Sequence, residues 1–195
     1  MQSFSEVVSI FESKVRSHAW GVFQVLAGGL LIVVGSHIVI PFYPVPITTQ
    51  TFMIFLLALI QGGRIGACSA LLYVNVFRVP LLFSWQYGIN YLCCCPTSGY
   101  LIAFPIAAFI VGKMVEIYEE RSPLWLIFSI LVGYCVIYLF GALGLMRFMS
   151  CGQSVKVGIL PFLYVDGIKL LLTVIFGGLW LNVKRRMREG EGLLG

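Results

Sequence analysis

The chain has 195 residues, of which 59% are apolar and only 11% charged, and its mean hydropathy is +0.97. Ordinary globular domains carry about 25% charged residues, so this composition argues against a soluble globular protein and predicts a polytopic membrane protein. The net charge of +5 does not indicate nucleic acid binding, because the basic residues cluster beside apolar runs, as they do where charge orients membrane helices.

Several apolar runs approach the ~20 residues that a helix needs to cross a bilayer core of about 30 Å. Because the alternation of barrel strands is missing, we expect an all-α integral membrane protein with six transmembrane helices. The expected parts are an N-terminal cytoplasmic segment (1–19), a membrane domain (20–183) and a basic cytoplasmic tail (184–195). The predicted spans are about 20–40, 47–61, 65–83, 99–117, 123–146 and 159–183.

Residues 41–50 read PFYPVPITTQ and separate the first two spans. Proline has no backbone N–H and disrupts a helix interior, so this stretch predicts a stiff loop. Thr48 or Thr49 before the second span, and Thr97 or Ser98 before the fourth, are suitable helix N-caps.

The third span is interrupted by Asn75, Arg78 and Pro80. This composition predicts an unwound or kinked outer end, which a membrane tolerates only against protein or a wet cavity. Asn75 and Arg78 either line such a cavity or satisfy the irregular backbone.

Small residues form two candidate packing faces. Gly21, Gly28 and Gly35 recur at a spacing of seven in the first span. The fourth span carries Ala103, Ala107, Ala108 and Gly112. Such faces let membrane helices approach closely, and packing within the molecule is the expected use.

With both termini cytoplasmic, nine basic residues fall on the inner side and three on the outer side, as the positive-inside rule requires. The segments 41–46, 84–98 and about 149–158 then lie outside, and the second, fourth and sixth helices begin there. Their N-terminal ends expose free backbone N–H groups, which favour an anionic group of a ligand.

The segment LPFLYVDGIKLLL places Asp166 and Lys169 three residues apart on one helix face, inside an apolar span. Ionisable residues inside a membrane are candidates for a functional site. A carboxylate that accepts N–H groups beside an ammonium that donates to oxygen suits a small polar ligand. The alternatives are an internal ion pair of a packing or scaffold protein and an acid–base pair of an intramembrane enzyme.

The motifs GxxxxGK[ST], GxSxG and HExxH are missing from the sequence. His18 and His37 have no second histidine or carboxylate at metal-ligand spacing. We expect a protein that is not an enzyme, with no cofactor and no metal site. If transport consumes ATP, another subunit must hydrolyse it.

Three segments in order, PVPITTQT (44–51), CPTSGYLIAFP (95–105) and PFLYVDGIK (161–169), resemble the BioY family. These are the biotin-binding S components of energy-coupling factor (ECF) transporters, and their pattern is roughly P-V-P-x-T-x-Q-T, G-P-T-G-G-Y-L and P-F-x-x-x-D-x-x-K. The chain departs from it at Cys95, where relatives have arginine or glycine, and at Asn75 and Arg78, which replace glycines.

The resemblance implies a six-helix protein of the cell membrane that binds biotin from its outer face, with the first outer loop closing over the pocket. Biotin is then the transported ligand. The implied partners are a transmembrane T subunit and ATP-binding ATPase subunits, although the family can also transport without them. An S component for thiamine or riboflavin is the alternative. The predicted ligand-binding residues are Thr48, Gln50, Thr97, Tyr100, Asp166 and Lys169.

Overall fold

The computed structural model describes residues 4–43, 45–78, 95–118 and 122–191. Pro80 and most of the predicted outer loop 84–98 lie outside this part. The elements are α1 (Phe4–His37), β1 (Val39–Ile40), β2 (Ile47–Thr48), α2 (Gln50–Gln61), α3 (Gly63–Leu72), a π-helix (Tyr73–Arg78), α4 (Ser98–Ile117), α5 (Pro123–Leu145), α6 (Cys151–Gly158) and α7 (Leu160–Glu191).

The helices confirm the predicted all-α membrane fold. In the described ranges, four helical stretches are long and apolar enough to cross a membrane. They are Ser17–His37, Ser98–Ile117, Pro123–Leu145 and Cys151–Met187. The apolar α2 has 12 residues, or about 18 Å at 1.5 Å per residue, which is shorter than a bilayer core. Together with α3 and its π-helical continuation, these segments make the six predicted passes.

Several helix ends differ from the predicted ones. The first helix ends at residue 37 rather than 40, because Val39 and Ile40 pair antiparallel with Thr48 and Ile47 in a short hairpin. For the same reason α2 begins at position 50 rather than 47. At the other ends, α1 extends back to residue 4 and α7 forward to residue 191, so helix continues across the expected boundaries at 19/20 and 183/184.

A tight turn at Gly62 reverses the chain between α2 and α3. Gly62 has a φ of 86°, a left-handed conformation that glycine adopts without steric cost. The backbone N–H of Gly63, at the start of α3, donates to Oε1 of Glu116 on α4 at 2.7 Å. This contact fixes the turn between α2 and α3 against α4.

The centre of the bundle is α4, whose small residues pack within the molecule as predicted. Ala103, Ala107 and Ala108 are fully buried. A Cβ added at Gly112 would lie 2.4 Å from the Cα of Gly63, so the backbones of α3 and α4 meet there. This approach requires a residue without a side chain.

Only part of the α1 face formed by Gly21, Gly28 and Gly35 packs against other helices. A Cβ at Gly28 would meet Ser69 on α3, and one at Gly35 would meet Met53 on α2. Gly21 has nothing within 4 Å. The prediction of internal packing therefore holds for two of these three glycines.

The predicted irregularity of the third span takes the form of the π-helix. Its wider turn leaves backbone carbonyls in need of partners, and Nδ2 of Asn75 donates to the carbonyl of Leu71 at 2.9 Å. Asn75 thus serves the backbone and is exposed rather than cavity-lining. The side chain of Arg78 lies outside the described part of the chain.

Candidate functional site

A cavity opens between the β1–β2 hairpin, the start of α2, and helices α4, α5 and α7. It encloses about 550 Å³ of space free of protein atoms, part of it open to solvent. Its lining consists of Val45, Pro46, Thr48, Gln50, Thr51, Thr97, Tyr100, Leu101, Phe104, Ile137, Tyr138, Phe162, Asp166 and Lys169. All six residues singled out from the sequence thus face one cavity.

The charged pair forms the polar end of this cavity. Asp166 and Lys169 are each only 5% exposed, and Nζ of Lys169 donates to Oδ1 of Asp166 at 2.7 Å. Their helix, α7, presents both because residues three apart share a face. Opposite charges in contact offset each other, which makes burial of both tolerable.

Two neighbouring helices supply further partners to the pair. From α5, the hydroxyl of Tyr138 donates to Oδ2 of Asp166 at 2.6 Å. On α2, Thr51 accepts a hydrogen bond from Nζ of Lys169 at 3.1 Å. The pair is therefore held by three helices.

The first outer loop delivers a second polar group. Oγ1 of Thr48 donates to Oε1 of Gln50 at 2.8 Å, and Nε2 of Gln50 donates to the hydroxyl of Tyr73 in a short contact. Gln50 is buried, so both ends of its amide need partners. The orientation of Gln50 follows from these contacts, which join the loop to the π-helix.

The predicted caps occupy N-cap positions, but their hydroxyl groups do not cap. Thr49 and Thr97 precede α2 and α4 without a side-chain bond to the first turn. Oγ1 of Thr49 instead donates to the carbonyl of Gly35 at 2.7 Å, and Thr97 lies 3.0 Å from Sγ of Cys95. No N-cap hydroxyl therefore satisfies the first-turn N–H groups of these two helices, which begin beside the cavity.

Tyr100 forms part of the wall. Its hydroxyl donates to the carbonyl of Gly158 at 2.8 Å, and its ring stacks on Phe162 with centroids 6.1 Å apart. A Cβ at Gly141 would lie 2.2 Å from the ring, so the ring fills a slot that glycine leaves open. Because the hydroxyl proton is committed to Gly158, Tyr100 can offer a ligand only its ring and the oxygen lone pairs.

Sequence reasoning missed Thr51 and Tyr138. Thr51 is the last residue of the PVPITTQT segment and follows Gln50 directly, so its position in the sequence could have indicated that it lies at the site. Tyr138 lies in an apolar span with no charged neighbour. Its hydroxyl was the available signal, since a buried tyrosine usually finds a polar partner.

Comparison with known proteins adds the family. Residues 10–187 match the sequence profile of the BioY family. This chain belongs to the BioY family. The resemblance predicted from the three motifs is confirmed.

Curated relatives of this BioY protein cover most of its length. A Pyrococcus horikoshii protein named a probable biotin transporter BioY is 36% identical over 144 residues, 73% of this chain and 84% of the relative. The biotin transporter BioY of Thermotoga maritima is 33% identical over 158 residues, 78% of this chain and 92% of the relative.

A solved structure supports the fold of this BioY protein. It is a crystal structure of the S-component for biotin from an ECF-type ABC transporter, with a TM-score of 0.69 and 23% identity. The match covers 89% of this chain and 93% of that one. At 23% identity the structural match shows the fold alone, and that fold is the fold of an ECF S component.

Proposed function

We propose that this chain takes up biotin as the membrane-embedded S component of an ECF-type vitamin transporter. The observation that carries the proposal is the cavity, which combines a buried ion pair with an apolar wall in a member of the BioY family. The relatives named as biotin transporters support the choice of ligand.

The hydrogen bonds left over at the ion pair define the ligand chemistry. The ammonium of Lys169 donates one N–H to Asp166 and one to Thr51. Its third N–H remains for a ligand. Each oxygen of Asp166 accepts one bond and keeps lone-pair capacity for another. The pair thus offers an acceptor and a donor side by side with no net charge. A ureido group, with N–H beside C=O, satisfies both, and biotin carries one.

The rest of the cavity suits the remainder of biotin. Leu101, Phe104 and Ile137 provide apolar surface for its ring carbons and acyl chain. The carboxylate of biotin then lies toward the starts of α2 and α4, whose first-turn N–H groups carry partial positive charge. In this arrangement Thr48, Gln50, Thr97 and Tyr100 border the ligand, as the family resemblance implies.

Thiamine and an intramembrane enzyme fit the cavity less well than biotin, and the relatives named biotin transporters favour biotin over riboflavin. Thiamine carries a positive charge, whereas the Asp166–Lys169 pair has no net negative charge to offset it. A second titratable pair facing Asp166 and Lys169 would favour an enzyme, but the other residues that line the cavity carry no charge. The relatives are named transporters, which also favours transport over catalysis.

Orientation and partners are part of the same proposal. Both termini are cytoplasmic, because the basic residues then concentrate on the inner side. The boundaries near 19/20 and 183/184 mark the membrane surface within continuous helices. A T subunit and ATP-binding ATPase subunits supply the energy. Reporter fusions to each terminus test the first point, and co-purification from the native membrane tests the last.

A binding titration with labelled biotin on purified protein tests the ligand and the site. We expect saturable binding by the wild type and a loss of about tenfold or more in Asp166→Asn and Lys169→Ala, since each removes a charged hydrogen-bond partner. Glu116→Gln and Lys184→Ala are matched controls, because both positions lie toward the inner side of their helices, away from the cavity lining.

Absence of saturable wild-type binding contradicts the proposed function. If the wild type binds biotin and both cavity variants bind it with unchanged affinity, biotin remains the ligand but its site is not this cavity.

A further inference from the structure

Tyr138 stands apart from the residues that the family motifs supply. It lies on α5, lines the cavity, and donates its hydroxyl proton to Oδ2 of Asp166 at 2.6 Å. An O–H···O⁻ bond of this length is charge-assisted and stronger than a neutral one. The contact joins a helix that contributes no motif to the carboxylate on α7.

The two oxygens of Asp166 are held in different ways. Oδ1 contacts Lys169 on the same helix, and Oδ2 contacts Tyr138 on another helix. The carboxylate plane is therefore set from both sides, and Tyr138 is the described group that fixes it from across the bundle.

Tyr138 is itself held in place by aromatic packing. Its ring stacks on Tyr134 with centroids 5.9 Å apart, and Tyr134 meets Phe55 edge-on at 4.9 Å. Tyr134 and Phe55 are buried, so the row links α5 to the interior of α2. A ring supported in this way presents its hydroxyl in a fixed place.

We propose that Tyr138 is a positioning residue that sets ligand selectivity through Asp166. Its proton is committed to the carboxylate, so Tyr138 and Asp166 together turn acceptor lone pairs toward the occupant. A ligand must then bring N–H groups to this end of the cavity, and an otherwise identical ligand without the N–H leaves buried acceptors unpaired. The inference rests on the proposed function, and the ligand class it selects is ureides with free N–H.

A double-mutant cycle with labelled biotin tests this inference. Tyr138→Phe removes one oxygen and keeps the ring, and we expect it to weaken wild-type binding about tenfold, the scale of one hydrogen bond to a charged group. In an Asp166→Asn background, we expect the same change to weaken binding by less than about threefold, because residues that act through each other are not additive. Tyr164→Phe, on the 86%-exposed tyrosine of α7, is the matched control and should bind like the wild type.

Selectivity provides a readout that a merely structural role does not move. Wild-type protein should prefer biotin over ureido-N-methylated biotin by about tenfold or more, and Tyr138→Phe should reduce that preference toward about threefold. Tyr138→4-aminophenylalanine keeps a donor in nearly the same place and should restore both affinity and preference. This second variant also covers the case in which Tyr138→Phe does not fold.

The outcomes separate the two proposals. Equal losses from Tyr138→Phe in both backgrounds, an unchanged preference, or a failure of 4-aminophenylalanine to restore binding overturns the role of Tyr138 while biotin binding stands. If the wild type does not bind biotin, the proposed function fails and this inference fails with it.

Discussion

Nζ of Lys169 lies 2.7 Å from Oδ1 of Asp166, one turn away on α7, and both side chains are buried. Tyr138 and Thr51 complete the arrangement from α5 and α2. The pair is therefore a junction of three helices as well as a candidate ligand site, and its removal should affect folding and binding differently.

We first predict that Lys169→Met destabilises the protein more than the double change Asp166→Asn with Lys169→Met. The single change leaves a buried carboxylate without its cation, a loss of about 3–5 kcal/mol. In the double variant no charge remains, and the amide oxygen of the introduced asparagine can still accept from Tyr138. Denaturant titration in mixed micelles measures the free energy of unfolding of each. Equal losses in the single and double variants would show that an unpaired Asp166 carboxylate adds no cost, which contradicts the prediction.

A second prediction concerns the slot that holds Tyr100. In Gly141→Ala the added Cβ would lie 2.2 Å from the Tyr100 ring, and overpacking of this kind costs about 1–3 kcal/mol. Gly167→Ala is the matched control, because nothing lies within 4 Å of an added Cβ there. Alanine in a helix is favoured over glycine by about 1 kcal/mol, so the control should be neutral or stabilising.

Thermal unfolding in detergent compares these two variants. Adding Tyr100→Leu should recover part of the loss in Gly141→Ala, because the shorter side chain vacates the slot. A Gly141→Ala protein as stable as the wild type would mean that the ring moves aside freely.

Some of the site could be predicted because its chemistry is local. Asp166 and Lys169 share a helix face by their spacing alone, and two charges in an apolar span are conspicuous in a sequence. Thr48 and Gln50 stand together where prolines end the first outer loop. These features depend on neighbours in the chain, which a sequence contains.

The contacts between helices could not be predicted in the same way. Tyr138 is 28 positions from Asp166 and Thr51 is 118 from Lys169. Helical periodicity indicates which residues share a face but not which faces meet. The end of α1 was also misplaced, because Val39 and Ile40 are apolar and extend the run although they form a strand.

A third prediction addresses the turn at Gly62. Oε1 of Glu116 accepts from the N–H of Gly63 at the start of α3, where a negative charge is also favoured. Glu116→Ala should lower the free energy of unfolding by about 0.5–2 kcal/mol, the range for a lost N-terminal cap. Glu116→Gln keeps an acceptor and should lose less. Biotin affinity should stay unchanged in both, and a loss of affinity with stability intact would contradict a purely structural role for Glu116.

The last prediction follows from the way Gln50 is held. Its Nε2 donates to the hydroxyl of Tyr73, and its Oε1 accepts from Thr48. In Tyr73→Phe the buried amide loses an acceptor, which costs about 1–3 kcal/mol unless the amide reorients. Since Tyr73 is outside the cavity lining, any change in biotin binding must pass through the residues it contacts.

We expect Tyr73→Phe to speed biotin release severalfold and to have little effect in a Gln50→Leu background, where the amide is already gone. Stopped-flow chase of labelled biotin measures the release rate. The same acceleration in both backgrounds would show that Tyr73 acts through contacts other than the one with Gln50. An unchanged release rate in Tyr73→Phe would mean that the orientation of Gln50 does not govern how long the ligand stays.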